Sequence, residues 1–115
     1  MRVLVTGSSD YSGVYETQKV HTRLNLILAL ADSLDEKLTV AYGNSEMGVD
    51  SIVERWVIRR EGDVVGEQIP IGGWQQERIL QTAVLLGGVD FWFSFGEPPK
   101  SSLRVAGAIK PRFVR

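Results

Sequence analysis

The chain opens with MRVLVTGSSDYSG (residues 1–13), where a short apolar run gives way abruptly to small and polar residues. The strand-favouring residues from Val3 to Thr6 predict a buried strand over residues 2–6. Gly7 and two serines end this run. A glycine at this point permits either a tight turn into a helix or the close approach of the backbone to a ligand.

The rest of the chain alternates between helical and extended patterns. Apolar residues at helical spacing predict helices over residues 15–34, 47–62, 74–88 and 101–109. Strand-favouring runs predict further strands over residues 37–43, 63–71, 89–96 and 111–115. This alternation predicts one α/β domain over residues 1–115, a Rossmann-like three-layer sandwich with a mostly parallel sheet of about five strands.

The composition narrows the possible function classes. Thirteen basic and 14 acidic residues give a net charge of -1, which provides no electrostatic basis for nucleic-acid binding. The chain has no cysteine and one histidine, so we predict no metal site. No apolar run approaches the roughly 20 residues that span a bilayer. We therefore expect a soluble, cytoplasmic protein.

The ends of the predicted strands are the places where a ligand is expected. In open parallel sheets, ligands bind beyond the carboxyl ends of the strands, where the strand order reverses. Gly7 and Gly43 each end a predicted strand and precede small polar residues, and backbone amides at the following helix start attract anions. Gly48 precedes the second helix and permits a ligand to approach the backbone closely at the helix start. Asp50 either caps that helix or accepts hydrogen bonds from ribose hydroxyls.

Three blocks of sequence carry a family resemblance. The blocks MRVLVTGSSDY, VAYGNSEMGVDSIVERW and VDFWFSFG resemble, in their order and intervals, the SLOG superfamily in its YspA-like branch. The resemblance implies a Rossmann-like fold that binds a nucleotide or a nucleotide derivative such as ADP-ribose. The positions that it implies as ligand-facing are Gly7, Ser8, Asp10, Gly43, Gly48 and Asp50.

The chain also departs from the family pattern at positions that bear on phosphate binding. Ser9 replaces an arginine, Tyr42 replaces a histidine, and the bulkier Val49 replaces an alanine. The phosphate loop after the fourth strand becomes GEPPKSS, whose two prolines donate no N–H group. The full set of candidate ligand-binding residues, including two cations that would supply positive charge, is Gly7, Ser8, Ser9, Asp10, Gly43, Asn44, Gly48, Asp50, Arg78 and Lys100.

No catalytic constellation stands out, and two alternatives to simple nucleotide binding remain open. The phosphoribohydrolases of the LOG type carry a P-G-G-x-G-T motif that this chain lacks. The resemblance to the same superfamily implies an N-glycosidase acting on nucleotides as one alternative. Asp10, Glu46 and Asp50 are carboxylates that would converge at the mouth of the sheet, where paired carboxylates can do acid–base work. The other is a degenerate SLOG fold that serves as an oligomeric interaction or structural protein, as in a phage or mobile element, acting in the host cytoplasm.

Aromatic and aliphatic patterns predict packing and association. The segment FWFSF (residues 91–95) is typical of a central strand that is buried on both faces. Trp56 falls on the apolar face of the second helix and is expected in the core. The first and third predicted helices carry apolar residues on wide arcs, including Leu26 and Leu30 on the first, and these arcs predict a homo-oligomer.

Overall fold

The computed structural model describes residues 1–7, 10–44, 46–69, 87–95 and 112–114. Their elements, in chain order, are β1 (Arg2–Gly7), α1 (Val14–Ser33), β2 (Leu38–Tyr42), α2 (Val49–Ile58), β3 (Val64–Gln68), β4 (Phe91–Phe95) and β5 (Arg112–Val114). Each falls within a residue or two of a predicted element, except that β3 ends three residues early and α2 ends four residues early. The helix predicted over residues 74–88, apart from its two closing glycines, and the helix over residues 101–109 lie outside the described residues.

The strands form one parallel sheet in the order β3-β2-β1-β4-β5. The first strand of the chain lies in the middle, where Val5 pairs with Tyr42 of β2 and Gly7 pairs with Phe95 of β4. The strand order reverses between β1 and β4, because β2 and β3 lie on one side of β1 and β4 lies on the other. The predicted α/β class and parallel sheet are confirmed.

Both helices pack on one face of this sheet. Their buried residues recur at helical spacing: Val20, Leu24, Ile27 and Ala31 on α1, and Val49, Ile52, Val53, Trp56 and Val57 on α2. These side chains join alternate strand residues, such as Val3 and Val5 of β1, in one hydrophobic core. The period of the apolar residues in the sequence therefore sets which face of each helix is buried.

The opposite face of the central strands is also buried. Leu4 and Thr6 of β1 alternate with the core residues and lie on this second face, as do Trp92 and Ser94 of β4. Trp92 is fully buried, and its Nε1 atom donates a hydrogen bond to Oγ1 of Thr6 at 2.7 Å. The prediction that residues 91–95 form a strand buried on both faces is confirmed.

A polar cluster holds α2 against α1. Nε1 of Trp56 donates a hydrogen bond to Oδ1 of Asn25 at 3.0 Å, and Nη2 of Arg60 donates to the same oxygen at 2.9 Å. The Arg60 guanidinium lies 4.2 Å from the centroid of the Trp56 ring, a cation–π contact. Trp56 is 1% exposed, so its predicted place in the core is confirmed.

Part of the apolar arc of α1 is exposed to solvent. Leu26 and Leu30 are exposed, whereas Leu24 and Ile27 are buried. The homo-oligomer that this arc predicts stays a prediction. Within the part of the chain that the structure describes, neither helix combines the length and the apolar character needed to cross a membrane.

Candidate functional site

Both helices begin at the carboxyl edge of the sheet, each directly after a glycine. Gly13 before α1 has φ 113°, and Gly48 before α2 has φ 75°, values that residues with a side chain rarely adopt. Within the described residues, no side chain caps the N-terminus of α1 or of α2 with a hydrogen bond. The positive ends of two helix dipoles are therefore directed to this edge.

A cleft of about 460 Å³, here called the edge cleft, lies at these two helix starts. Its walls are the residues that precede α1, the residues that precede α2 and one side of α2 itself: Asp10, Tyr11, Ser12, Gly13, Thr17, Glu46, Met47, Gly48, Ser51, Ile52 and Arg55. Its volume falls in the range of pockets that hold small organic ligands. Two of the candidate residues, Asp10 and Gly48, belong to it.

Gly7 has a structural role at the end of β1. A Cβ atom added to Gly7 would lie 2.9 Å from Cβ of Val49 and 3.1 Å from the carbonyl oxygen of Phe95, and closer still to Cγ2 of Val49. Real Cβ atoms do not make such contacts, so the first residue of α2 reaches β1 only because residue 7 is glycine. The space on that side of Gly7 is filled by the protein's own atoms.

Asp50 and Gly43 are joined to each other inside the protein. Asp50 is 2% exposed, and its Oδ1 atom accepts a hydrogen bond from the backbone N–H of Gly43 at 3.2 Å. This bond ties the residue after β2 to the first turn of α2. Neither residue belongs to the walls of the edge cleft, so the structure gives this carboxylate a backbone partner of its own.

We expect Asp50→Ala to lower the free energy of unfolding by about 1–3 kcal/mol, because it leaves the buried N–H of Gly43 without this acceptor. Asp50→Asn keeps an oxygen at the same position and should lose clearly less. Urea unfolding followed by circular dichroism measures both values. Equal losses for the two variants would contradict the assigned role of the hydrogen bond.

Of the remaining candidate residues, the structure describes Asn44, which is exposed and does not line the edge cleft. Ser8, Ser9, Arg78 and Lys100 lie outside the described residues.

Sequence reasoning did not single out Arg55, which contributes a guanidinium to the edge cleft. The spacing of four residues between Ser51 and Arg55 puts both on one side of α2, the side that continues from Gly48. Arg55 is exposed, as many arginines on helix surfaces are, so its residue type alone does not mark it as part of a site. Only the rotation of α2, set by its buried residues, directs this side toward the cleft.

The charged groups of the edge cleft are of both signs. Asp10 and Glu46 provide carboxylates, and Arg55 provides a guanidinium. Of the three carboxylates expected at the mouth of the sheet, two line the cleft and Asp50 is buried. In the described ranges, no group of three or more histidine, cysteine, aspartate and glutamate side chains is arranged to hold a metal ion.

Two titratable side chains near α2 favour their neutral forms. Burial, together with the charges of Arg59 and Arg60, lowers the pKa of His21, the one histidine of the chain. Burial, together with the charges of Glu54 and Asp50, raises the pKa of Tyr42. Tyr42, which stands where the family pattern has histidine, is therefore protonated at neutral pH.

A scan of protein-family models and searches of curated proteins and of solved structures find no match to this chain. The fold and the edge cleft define an α/β protein with a parallel sheet and a cleft at its carboxyl edge. Membership of the SLOG superfamily stays a prediction that rests on the sequence blocks given above.

Proposed function

We propose that this protein is a small Rossmann-like nucleotide-binding protein of the SLOG type, with its ligand in the edge cleft. The observation that carries the proposal is the position of the cleft at two helix starts on the carboxyl edge of a parallel sheet. Helix N-termini at this edge bind phosphate groups through backbone N–H groups and the helix dipole. Burial of both faces of β1 and β4 supports the three-layer arrangement that this fold requires.

On this proposal, different wall residues of the edge cleft bind different groups of the ligand. Arg55 donates charge-assisted hydrogen bonds to a phosphate, a role for which a planar guanidinium is well suited. Ser12 and Ser51 add hydroxyl donors. Glu46 accepts hydrogen bonds from ribose hydroxyls, since a carboxylate repels phosphate but pairs readily with a hydroxyl donor.

We expect AMP, NAD or ADP-ribose to raise the melting temperature, because a ligand at about 100 times its Kd stabilises the folded state by about 2.7 kcal/mol. Arg55→Gln should weaken binding by about tenfold or more, since a hydrogen bond to a charged group contributes roughly 1.5–3 kcal/mol. Arg59→Gln, the same charge change just past the end of α2 and outside the cleft, is the matched control. Differential scanning fluorimetry followed by isothermal titration calorimetry gives both quantities.

Two results would contradict the proposal. One is the absence of stabilisation by every nucleotide tested. The other is an equal loss of affinity in the Arg55 and Arg59 variants, which would indicate general electrostatic attraction rather than a contact in the edge cleft.

A second candidate function is an oligomeric interaction or structural protein that retains the fold without the ligand. Two observations favour it: Val49 fills the space beside Gly7, and α1 exposes Leu26 and Leu30. This function predicts a defined oligomer by light scattering in the absence of nucleotide, with no change in melting temperature on adding one. A monomer that nucleotides stabilise would exclude it.

A further inference from the structure

A second cleft, of about 590 Å³, lies along α1 and reaches the end of β4. We call it the switch cleft. Its walls include aromatic, basic and aliphatic side chains: Tyr11, Tyr15, Lys19, Arg23, Leu26 and Phe95. Tyr11 also lines the edge cleft, so one side chain belongs to both clefts.

One end of the switch cleft, formed by Tyr11 and Phe95, lies where the strand order reverses. Tyr11 follows β1, Phe95 ends β4, and the centroids of their rings lie 5.9 Å apart. β1 and β4 are neighbours, and the chain continues from β1 toward one edge of the sheet and from β4 toward the other edge. In doubly wound sheets, the crevice at this reversal is where the two halves of a dinucleotide are accommodated.

The two clefts differ in charge. Lys19 and Arg23 line the switch cleft, whose described walls contain no carboxylate, whereas the two carboxylates of Asp10 and Glu46 outnumber the one guanidinium, that of Arg55, in the edge cleft. The switch cleft therefore attracts the more anionic part of a ligand.

The switch cleft also offers a surface on which a planar group can stack. The side chain of Tyr15 is 67% exposed, and Nζ of Lys19 lies 5.3 Å from the centroid of its ring. Exposed aromatic rings stack on nucleobases with little dependence on the base, and a neighbouring cation pairs with the attached phosphate. Leu26, also exposed, extends the apolar wall beside them.

We propose that the ligand is of the dinucleotide type, two nucleoside units joined by a pyrophosphate, with one half in each cleft and Tyr11 between them. This inference rests on the proposed function and specifies its ligand class. The phosphate of the first half stays on Arg55 in the edge cleft. The base of the second half stacks on Tyr15, and Lys19 and Arg23 neutralise the charge of the second phosphate. A mononucleotide fills the edge cleft alone and leaves the contacts of the switch cleft unused.

Isothermal titration calorimetry with AMP and NAD on the same protein tests this inference. We expect NAD to bind at least about tenfold more tightly than AMP, since a stacked base alone contributes roughly 1–3 kcal/mol. Lys19→Gln should weaken NAD about fivefold more than AMP, because it removes a cation that AMP does not reach. Tyr15→Ala, at an exposed position that does not threaten the fold, should likewise lower the preference for NAD, and Arg59→Gln should leave it unchanged.

The outcomes separate this inference from the proposed function. If AMP binds as tightly as NAD, or if Lys19→Gln and Tyr15→Ala weaken both ligands alike, the dinucleotide assignment is wrong and nucleotide binding in the edge cleft stands. If neither ligand binds, both proposals are wrong.

Discussion

Replacing Gly7 with valine should lower the free energy of unfolding by about 3 kcal/mol or more, since a larger side chain forced into a packed core typically costs about 1–3 kcal/mol and here also meets backbone. Even the Cβ atom of the new side chain would lie 2.9 Å from Cβ of Val49 and 3.1 Å from the carbonyl oxygen of Phe95. Either α2 or β4 must then move. Urea unfolding monitored by circular dichroism measures the loss.

The contact with Val49 makes this prediction testable by rescue. Val49→Gly removes the side chain that a residue at position 7 would meet, so Gly7→Ala should cost markedly less in the Val49→Gly background than in the wild-type chain. If the cost is the same in both backgrounds, the contact with the carbonyl oxygen of Phe95, not the one with Val49, makes glycine necessary at position 7. Because of this contact, a loss of nucleotide binding in Gly7→Val would not identify Gly7 as a ligand contact.

The second large effect is expected at Trp92. Replacing a buried tryptophan with alanine typically costs about 3–5 kcal/mol through lost burial and the cavity that remains, and Trp92→Ala should fall in this range. Trp92 lies on the face of the sheet opposite α1 and α2, and its side chain is fully buried. The same unfolding measurement therefore tests whether this second face is covered, as a three-layer fold requires. A loss below about 1 kcal/mol would show an open face and contradict it.

A milder variant separates packing at Trp92 from its hydrogen bond. Trp92→Phe keeps a ring on the second face but removes Nε1, which donates to Oγ1 of Thr6 at 2.7 Å. Thr6→Val should cost less in the Trp92→Phe background than in the wild-type chain, because the hydroxyl then has no indole N–H to accept from. Equal costs in the two backgrounds would mean that this bond contributes nothing to stability.

The repeating patterns in the sequence predicted the elements well because they record burial directly. One side of α1 contacts the sheet, so apolar residues such as Val20, Leu24 and Ile27 recur at helical spacing. This spacing therefore indicates where the helix lies. The helical pattern predicts the start of α2 two residues too early. Gly48 has φ 75°, outside the helical region, so the helix begins at Val49.

The candidate site was less predictable, because its residues are related only through tertiary contacts. A glycine after β1 fits both a ligand turn and a close helix contact, and only the position of Val49 distinguishes them. An aspartate in a first helical turn fits both a ligand and a backbone partner, and the bond from Gly43 to Asp50 decides which it has. Arg55 was missed for a similar reason, since its direction depends on how α2 is rotated against the sheet.

The central place of β1 has a consequence for how the chain is made. β1 leaves the ribosome first, and β2 follows after one helix, but β4 begins only at Phe91. Until then, one side of the first strand has no neighbour, and apolar strand edges left in this state recruit strands from other molecules. A nascent chain stalled before Phe91 is therefore a candidate for aggregation or for capture by a chaperone, although β1, β2 and β3 have already been synthesised.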